Sequence, residues 1–115
     1  MVLKYDIEID NPIISNNLKK ITNKIYKLLP NREENIDWEK PLQTIIEELA
    51  GMDRILLIQH EIFFSLLCKL EGLFILTEEN DFSLFRRTIF DCLGLINILK
   101  NNIEKEDQYG RKNEY

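Results

Sequence analysis

The residues in this 115-residue chain best suited to nucleophilic or proton-transfer chemistry are one histidine, His60, and two cysteines, Cys68 and Cys92. A histidine activates a cysteine only within hydrogen-bond reach. His60 and Cys68 stand eight positions apart, about two helical turns or ~12 Å along one helix, so no local dyad forms. One histidine and two well-separated cysteines also fall short of the donor set a zinc site needs. The acid pairs Glu33-Glu34, Glu47-Glu48 and Glu78-Glu79 would point about 100° apart on a helix, which suits solvated surface better than a convergent carboxylate pair. The four glycines are isolated and cannot cradle a phosphate. The residues therefore predict no catalytic group, no cofactor and no metal ion.

One further constellation is Arg54 with His60, five residues between them. It resembles the arginine–histidine signature of HEPN ribonucleases, small helical bundles that often dimerise. The resemblance implies that Arg54 and His60 would converge in a cleft, bind an RNA phosphate and handle the proton transfer. It covers those two residues. Ile55 follows the arginine where the family usually has a polar residue, and the pair lies mid-chain rather than near the last helix. Read without the family, Arg54 is expected to pair with Glu47 or Glu48, and His60 to cap a helix.

The elements that would position these residues follow from hydrophobic periodicity. The length is that of one domain. With 44% hydrophobic and 30% charged residues the composition is globular, and four glycines with three prolines argue against a turn-rich β fold. Residues 3–9 alternate apolar and charged side chains, the period of a half-buried strand. After Asn11-Pro12, Leu18, Ile21, Ile25 and Leu28 form one stripe of a helix from about Ile14 to Leu29, which Pro30 and the polar run Asn31–Asn35 are expected to end. Asp37 is placed to cap a second helix carrying Leu42, Ile45, Ile46, Leu49 and Met52 and running to about Ile58. A third spans about His60 to Thr77. A fourth, capped by Asp81 or Ser83, carries Phe85, Ile89, Cys92, Ile96, Leu99 and Ile103. The expected fold is all-α, an antiparallel four-helix bundle over 13–104. A short N-terminal strand lies outside it within residues 1–12, and residues 105–115 form a polar tail. Helices three and four should form a hairpin in which residue numbers adding to about 160 lie at one height. Cys68 would then lie beside Cys92 and Phe74 beside Phe85, with Glu71 facing Arg87.

Net charge is −5, and the whole surplus lies in residues 38–80, where Lys40, Arg54 and Lys69 face eight acids. An acidic centre repels phosphate, so nucleic acid is an unfavoured partner, and a small nucleic-acid-binding helical protein with strongly salt-dependent binding to RNA or DNA stands as an alternative reading. No apolar run approaches a membrane span, and the two cysteines sit in helical apolar patterns. Both features suit a reducing, cytoplasmic setting. The third helix is apolar nearly all round from Ile62 to Leu76, interrupted by Ser65, Lys69, Glu71 and Gly72. Such a helix must be covered on several sides, and three short neighbours leave a surplus. The expected function is a non-catalytic protein–protein interaction or accessory module, dimeric with its own copy or bound to another protein. Its contact residues would be Phe63, Phe64, Phe74 and Ile75, with Leu3, Tyr5 and Ile7 if the N-terminal strand pairs.

Overall fold

The computed structural model describes the backbone of residues 11–56 and 59–112 and the side chains of 13–54, 56 and 59–104. Segment 3–9, with Leu3, Tyr5 and Ile7, lies outside the described residues. Four helices follow one another: α1 (Asn11–Glu33), α2 (Glu39–Ile55), α3 (His60–Gly72) and α4 (Phe82–Lys112). They pack in a ring, each against the next and α4 back against α1, and the described residues contain no strand. This is the expected helical bundle.

Its core is the set of apolar stripes. Leu18, Ile25 and Leu28 of α1, Leu42, Ile45 and Leu49 of α2, Leu66 and Leu70 of α3, and Ile89, Cys92 and Leu99 of α4 are fully enclosed. Each large side chain so buried contributes roughly 1.5–3 kcal/mol. Trp38, just before α2, closes one end. Its ring stacks on Phe74 at 6.4 Å and meets Phe85 edge-on at 5.2 Å, which places Phe74 and Phe85 at one height. Lys69 and Asp91 pair at 3.8 Å across α3 and α4, in the expected register. The Glu71–Arg87 pair is not formed among the described residues.

The helix ends differ from the sequence reading for local reasons. Pro30 does not stop α1, which continues to Glu33. Pro30 is exposed and Tyr26, whose carbonyl loses its donor, is half-exposed, so water can replace the missing bond. The real terminator is Asn35 in the left-handed conformation, φ 58°. It lets Ile36 N–H reach Asn31 O at 2.8 Å and Asn35 N–H reach Arg32 O at 3.3 Å, the paired bonds of a Schellman motif. Asp37 caps α2 as its residue type suggests, its carboxylate accepting the amides of Glu39 (3.2 Å) and Lys40 (3.3 Å). α2 ends at Ile55, not Ile58, because Leu56 turns extended (φ −85°, ψ 145°). Leu56 stays buried, so an apolar period can run past a helix end into a corner. α3 ends at Gly72, and Leu73–Ile75 tighten into a 3₁₀ turn. Glu78 and Asp81 then cap each other before α4. α4 continues to Lys112, and the last of its described side chains in the core is Ile103.

Candidate functional site

α3 presents two opposed apolar faces. Phe63, Leu66, Leu70 and Leu73 point inward, and Phe63, expected as a contact residue, is 0% exposed. It belongs to the core and offers no surface. The outward face carries Phe64, Cys68 and Glu71, spaced by four and three residues, and Ile75 follows in the 3₁₀ turn; all four are exposed. Phe64 and Ile75 are 69% and 79% exposed, the highest values among the exposed large hydrophobics. Leu67 and Phe74 flank them, half-buried, and Phe74 is partly occupied by Trp38. At Gly72 an added Cβ would meet nothing within 4 Å, so another backbone could approach there. Of the four contact residues expected on this helix and the turn after it, Phe64 and Ile75 thus share one open face, Phe74 lies at its edge, and Phe63 is enclosed.

His60 opens α3, and its Nδ1 lies 2.6 Å from Oδ1 of Asp53 on α2. A carboxylate at Nδ1 orients the ring. Sequence spacing missed this partner, because the chain reverses between the two residues. Gln59, in the left-handed region at φ 65°, makes that reversal and accepts a 3.1 Å hydrogen bond from Asn102 of α4. Arg54 is exposed, with a guanidinium nitrogen 4.0 Å from where a Cβ on Gly51 would sit. It lies back along α2 toward Gly51. Glu48, one of its expected partners, pairs instead with Lys24 of α1 at 2.8 Å. His60 is therefore tied to Asp53, and Arg54 forms no hydrogen bond or ion pair among the described residues.

The cysteines divide. Cys68 is exposed on the outward face of α3, whereas Cys92 is buried. Burial pushes the Cys92 thiol up to about 12, with smaller opposing effects from Lys69 and Asp91. Among the described residues no three of His, Cys, Asp and Glu gather to hold a metal, and no helix is long and apolar enough to cross a membrane.

The side chain that sequence reasoning overlooked is Arg32. It is 9% exposed. Its Nε and Nη2 donate to Leu76 O at 2.9 and 2.7 Å, and Nη2 also donates to Glu78 O at 2.7 Å. The guanidinium lies over the rings of Phe85 (5.0 Å) and Phe82 (5.6 Å). Arg32 thus fastens the α3–α4 turn to α1, with the aromatic faces taking part of its charge. A polar cleft of about 560 Å³, lined by Glu33, Thr77 and Glu79 among others, opens beside it. In a sequence, Arg32 is one more cation before a turn.

The fold also sorts charge. α2 and α3 carry Glu39, Glu47, Glu48, Asp53, Glu61 and Glu71 against Lys40, Arg54 and Lys69. α1 holds Lys19, Lys20, Lys24, Lys27 and Arg32 with no acid before Glu33, and α4 as far as Ile103 holds Arg86, Arg87 and Lys100 against Asp91. One half of the bundle is acidic and the other basic. In comparisons with protein-family models, curated proteins and solved structures, the chain matches none.

Proposed function

We propose that the chain is a non-catalytic interaction module that docks a protein chain, in the first instance a second copy of itself, on the outward face of α3. The observation that carries this reading is Phe64 and Ile75 standing 69% and 79% exposed, one on α3 and the other in the 3₁₀ turn that follows it. The 4-3 spacing of Phe64, Cys68 and Glu71 along α3 is that of a helix-pairing seam, and Ile75 extends it from the 3₁₀ turn. Covering each large side chain yields roughly 1.5–3 kcal/mol, and a two-fold dimer counts every contact twice. Glu61 beside the seam and Glu71 within it favour orientation and partner choice more than affinity.

Sedimentation across a range of chain concentrations tests this. The expected result is a dimer that dissociates on dilution, and that Phe64→Asp and Ile75→Asp abolish without changing helicity or melting temperature. A wild-type chain that stays monomeric throughout, or a dimer indifferent to both substitutions, overturns the proposal.

A further inference from the structure

A second surface has a different chemistry. The Ser15 hydroxyl donates to Glu104 at 3.3 Å, and the Tyr26 and Phe90 rings meet edge-to-face with centroids 6.4 Å apart. These contacts fix which edge of α1 lies along α4. Lys19, Asn23, Tyr26 and Pro30 follow that edge at i, i+4, i+7 and i+11, one stripe of the helix. Arg86, Phe90 and Asn97 follow the matching edge of α4. Tyr26 and Phe90 are about half-exposed, and the Arg86 guanidinium lies 5.7 Å from the Phe90 centroid. Lys27 stands next to Tyr26. Lys19, Lys27 and Arg86 are exposed and make no ion pair among the described residues. The seam's acids, Glu33 and Glu104, stand at its two ends.

We infer that this seam binds single-stranded nucleic acid. Bases stack on Tyr26, which Phe90 buttresses, while Lys19, Lys27 and Arg86 meet phosphates and Asn23 and Asn97 offer hydrogen bonds to base edges. Exposed aromatics set among unpaired cations are the combination that strand-binding surfaces use. From Lys19 to Pro30 the seam is about 16 Å long, room for roughly four nucleotides stacked at ~3.4 Å. Of the acidic surplus that disfavours phosphate when charge is counted along the chain, a net three charges lie on α2 and α3, and the other two, Glu78 and Glu79, lie in the turn before α4. This site is independent of the α3 face.

Fluorescence anisotropy of labelled oligouridylate and oligothymidylate tests the inference. Both probes are expected to bind, since base faces and phosphates are common to them. With three phosphate contacts, log affinity should fall against log salt with a slope of about −2. Tyr26→Ala should weaken binding at least about fivefold. Tyr26→Trp should retain it, and Tyr26→Leu, which keeps the packing on Phe90, should behave like Ala. Lys19→Glu and Lys27→Glu should weaken binding and flatten the salt slope, and Lys40→Gln, on the acidic half, should do neither. Absence of salt-dependent binding, or equal binding by wild type and Tyr26→Leu, overturns the inference. So does competition by polyglutamate as effective as by oligonucleotide, which would identify an acidic protein segment instead.

Discussion

Replacing Arg32 with Ala should destabilise the fold by about 3 kcal/mol. Three hydrogen bonds disappear, and bonds made by a charged donor are typically worth about 1.5–3 kcal/mol each. The carbonyls of Leu76 and Glu78 lose that donor, and two aromatic faces lose a cation at 5.0 and 5.6 Å. Two effects offset the loss. A buried guanidinium no longer has to be desolvated, and the adjoining cleft admits water to the freed carbonyls. The balance is about 3 kcal/mol, or ~12 °C in melting temperature, at about 4 °C per kcal/mol for a chain of this size. Arg32→Lys keeps the charge but lacks the planar fork that spans two carbonyls, and should recover less than half. Urea denaturation followed by circular dichroism measures both, with an unchanged m-value showing that the unfolded states are comparable. A loss under about 1 kcal/mol for Arg32→Ala would refute the clamp.

Other consequences are as direct. The Cys92 thiol ionises near 9.0 when unfolded and near 12 when folded. Between those values the unfolded chain holds fewer protons, so stability falls as pH rises past 9, by about 1.4 kcal/mol per unit from this group; Cys92→Ala should flatten that slope in urea titrations at successive pH values. Asn35→Ala should cost about 1 kcal/mol while Asn35→Gly costs little, because the left-handed backbone is strained for a Cβ that cannot bond locally; thermal melts distinguish the two. Leu49→Ala, in the fully enclosed stripe of α2, should cost about 2–5 kcal/mol by the same measure.

Spacing made much of the fold legible. The stripe Leu18, Ile21, Ile25, Leu28 is buried as its period demands, and the α3–α4 register appears in the Lys69–Asp91 pair. Both follow from helix geometry alone. Spacing did not show what the tertiary chain path decides. Pro30 with the polar run Asn31–Asn35 looked like the terminator; Pro30 does not stop the helix, and within the run the stop is supplied by Asn35. Asp53 reaches His60 only because Gln59 turns the chain back, and Arg32 acquires its role only when the α3–α4 turn is delivered to it. Phe63 and Phe64 are alike in type, and their fates, enclosed and exposed, depend on a 100° step around α3. Charge was legible in part: the acidic surplus in residues 38–80 falls largely on α2 and α3, whereas the pairing of basic α1 with basic α4 emerges only in the fold.

The docking face tests itself through its own thiol. Cys68 lies between Phe64 and Ile75 and is the exposed cysteine, so its alkylation rate reports whether that face is covered. The rate should fall as chain concentration rises through the dimerisation range and recover fully in Phe64→Asp. Equal rates at low and high concentration in the wild-type chain would contradict the assignment of this face to a partner.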